Sequence, residues 1–322
     1  MGALLERLRV ELPVLQAGMG GGLVRHELAA AVSDAGGLGQ ISVLGRAAIQ
    51  RELAAARELT RKPIAVNILL PFAHAADFEA AEAADAVVTF WGAPRRRTGG
   101  VWLHQVGSVD EARAAHAAGA DGVIVQGVEA GGHVRGTTPA LELLERVRAA
   151  LPGDYPLLLA GGIAEAGDVR AALDAGAEAA VAGTRFLLSD ESHAHPQYKA
   201  RLLEARETIL TELFGLSWPS APHRVVPNAA TRRWIGDGDS RGSRVVRALN
   251  RVSGPLASVM SERTIKRASS TQRAWLPLLS PAAATDDLPA TLVDAGPLYA
   301  GQTVARISSL RPARELVREL AP

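Results

Sequence analysis

The sequence predicts an α/β fold, a (β/α)8 (TIM) barrel with a mostly helical subdomain inserted late in the chain, and three observations predict it. Eight short apolar runs lie within residues 13–183, alanine-rich amphipathic stretches separate most of them, and glycines close those stretches where helices must end. The composition agrees: 48% hydrophobic but only 4% aromatic residues suits small helices packed on a parallel sheet better than an aromatic-rich β sandwich. A doubly wound sheet shares this alternation, because strand count alone does not establish closure.

In chain order the eight runs are PVLQAG (13–18), GQIS (39–42), PIAVNIL (63–69), AVVTFW (86–91), VWLHQV (101–106), GVIVQG (122–127), PLLLAG (156–161) and AAVAG (179–183). Helical spacing fills 24–35, 46–60, 73–84, 108–118, 138–150 and 165–175. DAGG (34–37), AAGAD (117–121) and DAGAE (174–178) carry the glycines that stop three of these helices. One connection breaks the rule. Between Trp91 and Val101 stands only GAPRRRTGG (92–100), short of the roughly dozen residues that a parallel crossover uses. The fourth helix is therefore expected to be absent or reduced to a turn, leaving a gap on that side. A terminal amphipathic helix spans 312–320. The expected division is a barrel over 1–210, closed by 295–322, with 211–294 as the inserted lid or substrate subdomain.

A chain of 322 residues can bury one large core, and its net charge of +1 argues against wholesale nucleic-acid binding. The absence of cysteine excludes disulfides, thiolate metal sites and thiol nucleophiles. Glu6, Arg7, Arg9 and Glu11 interrupt the N-terminus, and no stretch approaches the roughly 20 apolar residues of a membrane span. A soluble, cytoplasmic protein is the expectation. HAHP (193–196), His104 and His116 lack ligand spacing, so no metal site is expected. Residues 224–273 carry eleven Lys/Arg against Asp237, Asp239 and Glu262. That stretch reads either as a solvated helical face or as a surface attracting an anionic substrate or carrier.

The strongest chemical signal is AGGIAEAGDVRAALDAGAEAAVAGTRF (160–186). Two consecutive strands end in glycine, at Gly161-Gly162 and at Gly183-Thr184, which is the usual phosphate site of such a barrel. GMGGG (18–22) opens the same face after the first strand. Asn67, Gln105 and Gln126 stand near the ends of successive strands, where amides can meet a planar heterocycle or equally satisfy loop backbone. GVEAGGHVRG (127–136) then places His133 among glycines beside the phosphate site. Histidine is the side chain that most readily changes charge near neutrality, so His133 is the candidate proton-transfer group.

Taken together, GMGG (18–21), AVSDAGGLGQI (31–41), AVN (65–67), QGVEAGGH (126–133), AGGIA (160–164) and GTRF (183–186) resemble the nitronate monooxygenase family, once called 2-nitropropane dioxygenases. The resemblance spans about residues 10–210 and is looser beyond, where FGLSWPSAPHR (214–224) and YAGQ (299–302) also look similar. It implies an FMN-dependent TIM barrel that oxidises alkyl nitronates with O2. It implies that Met19, Gly20, Asn67, Gln105, Gln126, Gly131, Gly161, Gly162, Gly183 and Thr184 lie against FMN and that His133 is catalytic. The expected partners are a small anionic nitronate and O2, with neither nucleic acid nor membrane; a homodimer is compatible with this. Gln105 stands where some members have lysine. The flavin-dependent enoyl-acyl carrier protein reductases share EAGGH and AGGIA and are the rival, using NAD(P)H. A non-catalytic flavin-binding module is a third reading, and a nucleotide dehydrogenase of similar motif style is excluded because it needs a cysteine.

Overall fold

The computed structural model describes residues 2–236, 238–254, 267 and 269–322. Eight parallel strands form the main sheet: β1 (Val14–Gln16), β2 (Gly39–Ile41), β3 (Ile64–Leu69), β4 (Ala86–Phe90), β5 (Val101–Val106), β6 (Gly122–Gln126), β8 (Leu157–Ala160) and β9 (Ala179–Ala182). A two-residue strand, β7 (Gly132–His133), lies between the sixth and seventh of them in sequence. All eight fall within the apolar runs expected from the sequence.

Neighbour order runs β1-β9-β8-β6-β5-β4-β3-β2, and the ends meet. Leu15 bridges Leu38 in parallel, Leu38 N donates to Val14 O at 3.1 Å, and Gln16 N donates to Leu38 O at 3.0 Å. At the next position the Gln16 side-chain oxygen accepts from Gln40 N at 2.9 Å, standing in for a ladder carbonyl. This seam decides for the barrel over the doubly wound sheet.

Alternate residues point inward, because side chains of a strand alternate between faces. Leu15, Ala65, Val88, Leu103, Ile124, Leu158 and Val181 pack together as the barrel interior. The amino end of that core is plugged by Leu4, Leu5 and Leu8 of a helix, Ala3–Leu8, that the periodicity does not reveal. Helices His26–Asp34, Arg46–Leu59, Ala75–Ala81, Val109–Ala117, Ala140–Ala150 and Ala166–Asp174 surround the barrel. Their apolar stripes face inward, as with Ala48, Ile49, Leu53 and Ala56. The C-terminal helix Ala313–Leu320 packs between His26–Asp34 and Ala166–Asp174 and completes the ring.

No helix joins β4 to β5, and a surface pocket lined by Phe78, Glu82, Arg95, Arg96 and Arg97 lies on that side. The Trp102 indole covers this side, 1% exposed, and its Nε1 donates to Thr89 Oγ1 at 2.8 Å. Arg96 pins the loop over that indole, 5.7 Å from the ring. Its guanidinium donates to Gly119 O (2.6 Å), Gly100 O (3.1 Å) and Asp121 Oδ2 (2.6 Å).

The late region contributes helices Ala229–Trp234 and Arg244–Ser253, and also a small antiparallel sheet absent from the sequence reading. In it, β11 (His223–Val226) pairs with β10 (Ile209–Thr211), with β12 (Leu298–Tyr299) and with β7. Of the basic residues in this region, Arg263 and Lys266 lie outside the described residues, as do Asp237 and Glu262. Arg224 is buried and donates to Val128 O at 2.7 Å, so its role is to hold a loop. Arg241 and Arg247 pair with Asp239. No helix among the described residues is long and apolar enough to cross a membrane, and no metal-binding group of His, Asp and Glu occurs among them.

Candidate active site

A cavity of about 260 Å³ opens at the carboxyl ends of the barrel strands. Nine of the ten residues expected against a flavin line it: Met19, Gly20, Gln105, Gln126, Gly131, Gly161, Gly162, Gly183 and Thr184. His133 lines it as well. Asn67 does not. It is buried behind Gly18, and its Oδ1 accepts from Ser42 Oγ at 3.2 Å.

The glycine side of the cavity is built by close backbone approach. A Cβ on Gly131 would stand 2.5 Å from Ala300 C and from Gly301 N. Gly301 N donates to Thr184 Oγ1 at 2.9 Å, so the loops after β6, β9 and β12 meet here. Gly161 turns with φ of +107°, a conformation that only glycine adopts without strain. The opposite wall is apolar and includes Val43, Leu69, Phe72, Leu216 and Trp218. Trp218, Phe72 and Leu216 were not among the sequence candidates. Leu216 and Trp218 do lie inside FGLSWPSAPHR, one of two stretches of the late region with a recognisable pattern.

Gln126 spends its amide on the histidine loop. Its Nε2 donates to His133 O at 3.0 Å and its Oε1 accepts from Arg135 N at 3.0 Å. Between the two roles left open by the sequence, the backbone one is realised, and what faces the cavity is the remainder of the side chain. From the other side β11 holds the same loop: His223 pairs with His133, and Val134 N donates to Pro222 O at 2.8 Å. His133 is therefore clamped between a barrel strand and the late region.

The His133 Nε2 is sealed from solvent and has no hydrogen-bond partner. Burial holds the ring well below the ordinary imidazole range, and His223 nearby adds to this. His223 is spent structurally: its Nδ1 donates to Ala221 O (2.9 Å), its Nε2 accepts from Phe214 N (3.3 Å), and burial lowers it to about 4. The site thus presents a neutral imidazole lining the same cavity as the glycine cradle.

The fit to a flavin is good on these observations. The glycine cradle leaves room for a phosphate and a flat ring, and the orphan Nε2 requires a partner that the protein does not supply.

The chain matches the family model described as nitronate monooxygenase over residues 2–96 and 93–322. It is 32% identical to a Mycobacterium tuberculosis (3aS,4S,5R,7aS)-5-hydroxy-7a-methyl-1-oxo-octahydro-1H-indene-4-carboxyl-CoA dehydrogenase, covering 98% of this chain and 94% of that protein. The structure of FabK from Thermotoga maritima superposes with a TM-score of 0.77 at 28% identity, covering 99% of this chain and 94% of that one. A nitroalkane oxidase from Streptomyces ansochromogenes superposes with a TM-score of 0.73 at 29% identity, covering 99% and 96%.

Proposed function

Because the chain belongs to the nitronate monooxygenase family, a family of flavin-dependent oxidoreductases, we propose that it oxidises alkyl nitronates, and the nitroalkanes from which they form, with FMN and O2 to a carbonyl compound and nitrite. The observation that carries this reading is the neutral, unpartnered His133 Nε2 at the edge of a glycine cradle. Met19, Gly20, Gly131, Gly161, Gly162, Gly183 and Thr184 would hold FMN, with Gln105 and the free part of Gln126 toward its ring. Bound FMN would supply the electron exchange between substrate and O2.

The remaining steps belong to the chain. His133 removes the proton from the carbon bearing the nitro group, and the nitro group takes the electron pair as a nitronate. The imidazolium so formed stays against the anion it has made, and their attraction in a water-poor site holds the nitronate in place. Substrate with its proton already removed needs no base. His133→Asn should therefore lower kcat/KM on a neutral nitroalkane by about 10²–10⁴-fold while changing turnover of the preformed nitronate far less. Nitrite release measured on both substrates checks this, and full activity of the variant on the nitroalkane refutes the assignment.

One observation favours a second reading. Two relatives, each matched over 98% of this chain, are named as a carboxyl-CoA dehydrogenase. In that reading His133 exchanges a proton at the carbon next to a thioester carbonyl, bound FMN would supply hydride exchange with a nicotinamide, and exposed arginines such as Arg244 and Arg251 meet the anionic carrier. A soluble protein of the cytoplasm, assembled as a homodimer with the 211–294 segment as its lid, suits either reading.

A further inference from the structure

A proton-transfer histidine is ordinarily oriented through its second ring nitrogen by a carboxylate or a carbonyl. Among the described residues His133 has no such group. Its ring instead lies against Trp218, with centroids 3.9 Å apart and planes inclined by 25°. Trp91 meets it edge-on at 5.8 Å, and Tyr299 and His223 stand at 5.6 and 5.2 Å. Trp218 is itself fixed edge-on by Phe72 (5.0 Å) and Trp91 (5.3 Å).

The backbone is bent to deliver these rings. Among the described residues four non-glycine residues have left-handed φ, and three of them are Trp91 (67°), Ser217 (67°) and Ser220 (57°). Strain of this kind persists where surrounding structure over-determines it and clusters at working sites. The Trp218 loop is held by Trp218 N donating to Gly215 O (2.9 Å) and Ser217 N donating to Ser253 Oγ (2.8 Å), the latter at the end of helix Arg244–Ser253.

We propose that Trp218 is the positioning residue of the reaction: it sets the plane of the His133 imidazole by stacking, in place of the usual hydrogen-bonded orienter, and thereby keeps both ring nitrogens free for the ligand. The proposal rests on His133 as the proton-transfer group. The groups facing the ring are His223 on β11 and Tyr299 on β12, with the Arg135 guanidinium lying 5.0 Å from the far ring, Trp91. None of them can orient it by a hydrogen bond as placed. His223 has both nitrogens committed, and the Tyr299 hydroxyl donates to Pro281 O at 2.8 Å.

The test uses the flavin-loaded protein with isotope-labelled histidine, the His133 signal being assigned by its loss in His133→Asn. Ring titration is followed by NMR in wild type, Trp218→Phe, Trp218→Leu and Ser253→Ala. Trp218→Leu is expected to move the His133 midpoint upward by at least one pH unit toward the ordinary imidazole value, as water reaches the ring. Trp218→Phe restores the stack and stays within a few tenths of wild type. Ser253→Ala, which only loosens the loop, shifts in the same direction by less. In steady state, Trp218→Leu is expected to lower kcat about tenfold or more on whichever substrate the enzyme turns over, with KM changing less than about threefold. A folded Trp218→Leu with wild-type titration and kcat overturns the proposal. If that variant does not fold, an unshifted Ser253→Ala together with a Trp218→Phe that loses the wild-type titration overturns it. The titration needs no substrate, so it stands apart from the choice between nitronate and thioester.

Discussion

Substituting Gly131 by alanine probes the backbone contact on which the cradle is built. The added Cβ would stand 2.5 Å from Ala300 C and Gly301 N, whereas ordinary contact begins at 3.4 Å. The 300–301 backbone must then retreat by about 0.9 Å, in a site where neither neighbour is a flexible side-chain end. That segment is tied on three sides: Gly301 N to Thr184 Oγ1 (2.9 Å), Gln302 N to Glu129 O (2.9 Å) and Ala300 N to Arg224 O (3.3 Å). Overpacking of this kind costs about 1–3 kcal/mol. At about 2–4 °C per kcal/mol, thermal unfolding should fall by about 2–12 °C. Because the displaced Gly301 and Thr184 border the cradle, flavin affinity should fall by about tenfold or more, about 1.4 kcal/mol. Calorimetry and the flavin retained after gel filtration read the two effects. Gly153→Ala is the control: nothing lies within 4 Å of its Cβ, so it should match wild type in both. A Gly131→Ala protein that melts with wild type and keeps its flavin would refute the reasoning.

Two further outcomes follow from buried groups. His104 and His223 are lowered to about 4, so between the ordinary value of 6.5 and about 4 the unfolded chain takes up protons that the folded one refuses. Their stabilisation is fully present above pH 6.5 and is lost as pH falls toward 4, by about 2 kcal/mol per ring between pH 7 and pH 5. Urea unfolding at the two pH values measures it, and His104→Gln should flatten the dependence; an equal slope in that variant contradicts the assignment. Trp102→Ala removes the indole that stands in for the missing helix, and should cost about 3–5 kcal/mol in urea unfolding. A loss under 1 kcal/mol would mean that the 92–100 loop, not the indole, covers that side.

Much of the barrel was legible because its signals are local. Each apolar run is bounded by glycine or a helical stripe, and the short GAPRRRTGG connection announced a missing helix. What covers that side was not legible, since Arg96 reaches Gly119 and Asp121 across the fold. The same limit applies at the site. The glycines and His133 sit in compact motifs, and their convergence on one cavity follows from strand ends sharing a face. Trp218 and His223 meet His133 only because β11 returns to pair with a two-residue strand, a register that no periodicity encodes. Asn67 and Gln126 illustrate the reverse. Gln126 ends β6 whereas Asn67 lies inside β3, two residues short of its end, and an amide bonds to whatever backbone or hydroxyl stands nearest, which for these two is the His133 loop and Ser42.

The most direct test of the account is the visible spectrum of the purified flavin-loaded protein after anaerobic mixing with ethyl nitronate, before any nicotinamide is added. Rapid bleaching of the flavin by the nitronate alone, with recovery of colour and release of nitrite on admitting O2, is the predicted result. A flavin that stays oxidised with the nitronate but bleaches on addition of NADH or NADPH would contradict it and favour thioester chemistry at the same histidine.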